Sequence, residues 1–141
     1  MKSFLYHLQI NVSNPKKSLP FYKDLLTYLG YKIIDDGSWG FGATNKEKSS
    51  LGDIWVINTA SKFKKNKFHR KSTGLNHLAF GVTKKSDVDV FIQKFLKPRM
   101  IMHLYGTPKE FPEYVKGYYA VFFEDPDRIK LEVTYIPGFE K

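Results

Sequence analysis

Two histidines pose the chemical question in this chain. His77 stands in "GLNHLAFGV", residues 74–82, and His7 in "YHLQINV", residues 6–12; both occupy the frame His-Leu-x-apolar-x-Val. A neutral imidazole buried in an apolar strand without partners is costly, so the repetition of one local pattern points to a shared task. There is no cysteine, which excludes disulfide scaffolds, thiolate zinc sites and a cysteine nucleophile. Any metal must be held by histidine and carboxylate. No Ser/His/acid constellation and no glycine-rich phosphate loop is readable, so the catalytic residues stay unassigned. His69 and His103 have no counterpart at the repeat spacing and read as surface or packing residues.

The elements that carry the histidines repeat as well. "FLYHLQINV" alternates, with Phe4, Tyr6, Leu8, Ile10 and Val12 on one face and Leu5, His7, Gln9 and Asn11 on the other, the period of a half-buried strand. From Ser18 the apolar residues Leu19, Tyr22, Leu25, Leu26 and Leu29 recur at helical spacing until Gly30. Ser18 is the expected cap and Pro20 falls in the expected first turn. "YKIIDD", "SWGFGA" and "DIWVINTA" supply three β-rich runs. The second half repeats the order: "GLNHLAFGV" as strand, then "KKSDVDVFIQKFL" as helix with Val88, Phe91, Ile92 and Phe95 on one face. Ser86 and Asp89 form a capping-box-like start, and "MIMHLY", "GYYAVFFE" and "IKLEVTYI" follow as strands. Phe21 lies fourteen residues after His7, and Phe91 fourteen after His77. Such internal repeats govern the reading of a fold.

The expected architecture is therefore α+β: paired βαβββ modules, about 1–60 and 74–141, joined by a basic linker at 61–73. They form a curved sheet cleft with helices outside. Leu8, Ile10 and Val12, like Leu78, Phe80 and Val82, face the helices; His7, Gln9 and Asn11, with His77 and Ala79, line the concavity, a setting that favours ligand sites. At 141 residues the chain has the length of a single domain. Its 42% hydrophobic and 16% aromatic content exclude a disordered or fibrous protein. No membrane-length apolar run and no cleavable leader pattern is readable, which predicts a cytoplasmic location. The net charge of +9 rests largely on lysine spread along the chain. Its one cluster, "KFKKNKFHRK" at 62–71, interleaves phenylalanine with cations as a single-strand nucleic-acid binder does. It falls where a solvated loop is expected, so nucleic acid is not the expected partner; an anionic substrate drawn toward a pocket mouth is an intermediate use.

"YHLQINV", "SLPFYKDLLTYLGYK", "LNHLAFGV" and "GYYAVFFEDPDRIKLEV" together resemble the vicinal oxygen chelate superfamily, which includes glyoxalase I, extradiol dioxygenases, fosfomycin-inactivating enzymes and bleomycin-resistance proteins. The resemblance spans nearly the whole chain. It implies a metal held between the modules by their first and last strands, so that His7, His77 and Glu132 of "KLEV" become the ligands. The fourth position falls at Trp55, where glyoxalase I supplies a further ligand. Two histidines and a glutamate suit a divalent transition metal, whether iron, manganese, nickel, cobalt or zinc, with positions open to substrate. Arg128 departs from the glycine that usually follows Asp-Pro-Asp and puts that turn in question.

The resemblance thus implies a divalent-metal enzyme, a lyase, dioxygenase or thiol transferase, acting on a small oxygen-rich molecule. A homodimer is implied as well. Trp55, Trp39 and Tyr119 are candidate substrate-binding residues, with Trp55 as an apolar wall; such aromatics in β-rich runs otherwise serve sheet packing. With Trp55 in the fourth position, a proton shuttle using two glutamates is impaired. The alternative is a metal-free small-molecule-binding or sequestering protein of the bleomycin-resistance type.

Overall fold

The computed structural model describes residues 3, 5–45 and 52–138; Phe4 of the first predicted strand lies outside them. The chain divides into two compact units, Met1–Lys67 and Phe68–Lys141. Each is a four-stranded mixed sheet with its helical segment, the βαβββ pattern expected from the repeat.

In the first unit, β1 (His7–Val12) leads to α1 (Pro15–Tyr28), then β2 (Lys32–Gly37), β3 (Gly40–Thr44) and β4 (Asp53–Asn58), in the order β1-β4-β3-β2. β1 runs parallel to β4, pairing His7 with Asp53 and Gln9 with Trp55. Ile10 and Val12 are buried with Ile54, Val56, Phe41 and Ala43, beside Ser18, Tyr22, Leu25 and Leu26 of α1. Those four helical residues fall at i, i+4, i+7 and i+8, one face of an α-helix. The helix begins earlier than its apolar periodicity predicts. Asn14 is its N-cap residue and Pro15 takes the first turn, so the predicted cap Ser18 is buried inside the helix and Pro20 lies within it on the exposed side. Proline fits a first turn because its missing N–H has no intrahelical partner there; the chain holds two prolines near this end, and Pro15 is the one that starts it.

In the second unit, β5 (His77–Val82) is followed by α2 (Lys85–Phe91), a π-helical turn Ile92–Leu96 and a 3-10 turn Lys97–Arg99, then β6 (His103–Glu110), β7 (Tyr119–Glu124) and β8 (Lys130–Tyr135), ordered β5-β8-β7-β6. Val88, Phe91, Ile92, Phe95 and Leu96 are buried. Phe91 stacks on Phe95 at 5.0 Å and meets Phe123 of β7 at 5.4 Å. The start of α2 differs from the expected Ser86/Asp89 box: the Asp87 carboxylate accepts the Lys84 backbone N–H at 3.2 Å. Asp89 instead accepts the Tyr119 hydroxyl at 2.8 Å.

The seventy-residue offset between the histidines recurs where the helical segments end. Gly30 and Met100 both take positive φ, 88° and 54°, and the following N–H groups, Tyr31 to the Leu26 carbonyl and Ile101 to the Leu96 carbonyl, close equivalent bonds at 2.8 and 3.0 Å. The Asp-Pro-Asp turn before β8 also keeps the backbone that glycine would favour. Arg128 sits at φ 66°, a conformation that costs a side-chain-bearing residue about 1–2 kcal/mol. Asp125 holds it by accepting the N–H groups of Asp127 and Ile129, both at 2.8 Å. The register into β8 is unchanged.

Candidate functional site

β5 and β8 lie side by side and parallel, pairing His77 with Lys130 and Ala79 with Glu132. β7 pairs Phe122 with Glu132 on the other side. Strand alternation turns Phe80, Leu131, Val133, Val121 and Phe123 away from this face, which leaves His77, Lys130, Glu132 and Phe122 together on it. Glu132 is 1% exposed, and a carboxylate so enclosed requires partners. Its Oε1 accepts the Tyr118 hydroxyl at 2.5 Å, and its Oε2 lies 3.1 Å from Nε2 of His77. The structure thus brings together two of the predicted ligands, 55 residues apart in sequence.

The opposite end of the imidazole is held too. Nδ1 of His77 lies 2.8 Å from Oδ1 of Asn76, and Nδ2 of Asn76 donates to the Arg70 carbonyl at 3.2 Å. That donation turns the amide oxygen toward His77, so Nδ1 carries the proton and donates it. The run from the Arg70 carbonyl through Asn76 and His77 to Glu132 has three junctions, and an amide and a neutral imidazole fill only two of them with protons. The bare junction falls between Nε2, with its lone pair, and the Glu132 carboxylate. A cation must occupy it, either a third proton or a metal. Burial, then the Lys130 ammonium, hold the His77 imidazole below its ordinary pKa against the opposing pull of Glu132, which works against the third proton. His77 Nε2 and Glu132 Oε2 are of the donor types that would hold a divalent transition metal.

Among the described residues there is no group of three or more His, Cys, Asp or Glu side chains that could hold a metal ion. His7 belongs to the first unit, exposed on β1. It shares a sheet face with Trp55, because their register partners Asp53 and Gln9 alternate with the core-facing Ile54 and Leu8. Trp55 takes the position in β4 that Glu132 takes in β8. Its ring lies 5.9 Å from that of Trp39, at 32°, and each indole rests on a glycine. A Cβ on Gly42 would come within 2.8 Å of Trp55, and one on Gly37 within 2.6 Å of Trp39.

Tyr119 binds the α2 residue Asp89, so its side chain serves the helix-facing side of the second sheet. Its neighbour Tyr118 reaches Glu132. Sequence reasoning missed Tyr118 and Asn76 as site residues. The available signals were the Tyr-Tyr pair, whose alternation sends one ring to each face, and an amide directly before His77. Arg70, within the expected linker, is anchored to the second unit by a 2.5 Å ion pair with Glu124.

Burial, then the hydrogen bond to Glu132, push the Tyr118 hydroxyl up to about 12. A raised acid pKa means that the neutral form is favoured by folding. Its stabilising contribution is complete below the ordinary value near 10 and is lost as pH rises through about 12. Ultraviolet difference titration of wild type against Tyr118→Phe is expected to show one tyrosine ionising near pH 12; its ionisation at the ordinary tyrosine value of about 10 would remove Tyr118 from the carboxylate.

With the fold and this site described, the chain is placed in a family. It belongs to the Glyoxalase/Bleomycin resistance protein/Dioxygenase superfamily, whose sequence model matches residues 5–133. It is similar to the uncharacterized protein YqjT of Bacillus subtilis, at 34% identity over 92% of this chain and 97% of that one. It is also similar to the metallothiol transferase FosB of Staphylococcus epidermidis, at 26% identity over 90% and 78%. Among solved structures, a glyoxalase-like protein from Bacillus halodurans superposes with a TM-score of 0.81 at 37% identity, covering 94% of this chain and 95% of that one. A lactoylglutathione lyase from Agrobacterium tumefaciens shares the fold, with a TM-score of 0.67 at 15% identity over 96% and 95%. Among the described residues no helix is long and apolar enough to cross a membrane.

Proposed function

We propose that this protein is a divalent-metal enzyme that acts on a small molecule with adjacent oxygens, and that His77 and Glu132 hold the ion. The observation that carries the reading is the bare junction between His77 Nε2 and Glu132: two acceptors 3.1 Å apart, with both of their outer sides already bonded. A metal bound there supplies Lewis-acid polarisation of a substrate oxygen. The chain's own residues prepare the place. Asn76 keeps the Nδ1–H tautomer and so presents the Nε2 lone pair, while Tyr118 fixes the carboxylate rotamer. The likeness to a metallothiol transferase favours group transfer over glyoxalase chemistry, in keeping with Trp55 at the position of a fourth ligand. A cytoplasmic homodimer completes the proposal.

Elemental analysis of tag-free protein, with titration by manganese, iron, nickel, cobalt and zinc, tests this. One ion per chain in wild type and its loss in Glu132→Ala are the expected results; a wild type that takes up none of the five defeats the reading. Asn76→Ala is expected to weaken metal binding by about 10–100-fold, the usual cost of removing the partner that orients a ligating histidine. Competition against a chelator of known affinity measures it, and unchanged affinity would leave Asn76 without that role.

The Trp39–Trp55 pair favours a second reading, a metal-free binding protein that stacks its ligand on the indoles. In that case Trp55→Ala weakens ligand binding while His77→Ala and Glu132→Ala leave it intact.

A further inference from the structure

From residue 60 to residue 74 the chain runs exposed with one exception, Arg70, which is partly buried. Its guanidinium is held by the Glu124 carboxylate of β7, and the two side chains keep only 18% and 23% of their surface exposed. The same Nη1 donates to the Arg128 carbonyl at 3.4 Å, inside the turn that feeds β8. One side chain thus ties the segment entering β5 to the turn entering β8, the two strands that carry His77 and Glu132. The backbone bonds beside Arg70 are local: the Ser72 N–H donates to the His69 carbonyl at 2.9 Å, and the Lys71 N–H to Nδ1 of His69 at 3.2 Å. A solvated segment with so few buried contacts opens easily, so the anchored side chain is what keeps the Arg70 carbonyl in place.

That carbonyl accepts from Nδ2 of Asn76 at 3.2 Å, which leaves Oδ1 of Asn76 facing Nδ1 of His77 at 2.8 Å. For the imidazole and the carboxylate alone, the opposite arrangement is the better one. With the amide turned over, its NH2 would donate to Nδ1, the single imidazole proton would sit on Nε2, and Nε2–H would donate to Glu132 across the 3.1 Å junction. A carboxylate is a stronger acceptor than an amide oxygen. What opposes the exchange is the Arg70 carbonyl, which the turned amide would meet oxygen to oxygen.

We propose that Arg70, locked by Glu124, is a positioning residue of this site: it holds the Asn76 amide in the orientation that keeps the His77 proton on Nδ1 and leaves Nε2 open to a cation. The inference rests on the metal reading of His77 and Glu132 for its catalytic meaning, whereas the placement of the proton is a property of the metal-free protein. Arg70 and Glu124 act through Asn76 and contribute no chemistry of their own.

Nuclear magnetic resonance of chelator-treated protein carrying nitrogen-15 histidine reads which ring nitrogen of His77 is protonated, at a pH well above the ordinary histidine value of about 6.5. His77→Gln supplies the assignment. Wild type is expected to show Nδ1–H, and Arg70→Met to move the proton to Nε2. Glu124→Gln unlocks the guanidinium without deleting it and should move the proton in the same direction, which keeps the proposal testable if Arg70→Met does not fold. Lys85→Met, which breaks a separate ion pair with Glu110, is the control and should leave Nδ1–H in place. Zinc affinity, measured by chelator competition, should fall about tenfold in Arg70→Met, the low end of the cost of losing an outer partner. Arg70→Met combined with Asn76→Ala should lose no more than Asn76→Ala alone, because residues that act in series are not additive. If wild type takes up no zinc yet Arg70→Met moves the proton, the metal reading fails and the positioning role stands. The role is overturned by a wild type with Nε2–H, by a proton that stays on Nδ1 in both Arg70→Met and Glu124→Gln, by the same shift in Lys85→Met, or by zinc losses that multiply in the double variant.

Discussion

Glu132→Gln is expected to abolish metal uptake and at the same time make the metal-free protein more stable than wild type. The two effects have one cause. In the metal-free wild type, Glu132 Oε2 and His77 Nε2 face each other at 3.1 Å, and only a proton held against the lowered pKa of His77 can join them, while Oε1 accepts from Tyr118. A glutamine amide meets both partners: its oxygen accepts the Tyr118 hydroxyl and its NH2 donates to Nε2. Removing a buried charge and filling the bare junction should raise stability by about 1 kcal/mol or more. The same amide is a poor ligand, and metal affinity should fall by more than the roughly 10–100-fold that an outer partner costs. Urea unfolding of chelator-treated protein and metal titration of both variants measure the pair of effects. A Glu132→Gln variant that is less stable than wild type without metal, or one that still binds an ion, would show that the junction is not short of a cation.

Phe123→Ala should produce the largest loss of stability, about 3–5 kcal/mol, the usual cost of deleting a fully buried aromatic side chain. Phe123 has no exposed surface. Its ring packs on Phe91, which stacks on Phe95, so its removal opens a cavity where the helical segment meets β7. Leu131, buried beside it, cannot fill that space without leaving its own contacts. Circular dichroism during urea unfolding gives the number. Because Phe123 and Phe122 point to opposite faces of β7, metal affinity at a temperature where the variant is folded should change little. A loss under about 1 kcal/mol would mean that this face lacks the tight packing on which the cavity cost depends.

Much of the architecture could be read in the residues because it follows short-range rules. Apolar spacing marked the core faces of both helical segments, and period-two alternation assigned Ile10, Val12 and Phe80 to the buried side. Helix starts were less legible. Capping depends on a few local hydrogen bonds that periodicity does not specify: α1 starts at Asn14 with no side-chain capping bond, four residues before Ser18, and at α2 Asp87 makes the bond expected of Asp89. At the Asp-Pro-Asp turn the sequence offered an unfavourable residue, yet Asp125 bonds two N–H groups and so holds Arg128 in the left-handed region.

The candidate site divides the same way. That His77 and Glu132 are chemically suited to one another was a matter of residue type and of the family resemblance. That they meet depends on β5 and β8 being parallel neighbours, a pairing across dozens of residues that no local pattern encodes. Tyr118 and Asn76 belong to the site for a similar reason. Which of two adjacent tyrosines faces Glu132 depends on where β7 begins, and the value of an amide before a histidine depends on a carbonyl, that of Arg70, brought up by a segment whose composition reads as solvated linker. Residue types and their periods therefore determined the modules and the donor atoms on offer. Tertiary structure decided which donors converge, because strand pairing sets distances to within an ångström and a hydrogen bond or a metal site responds at that scale.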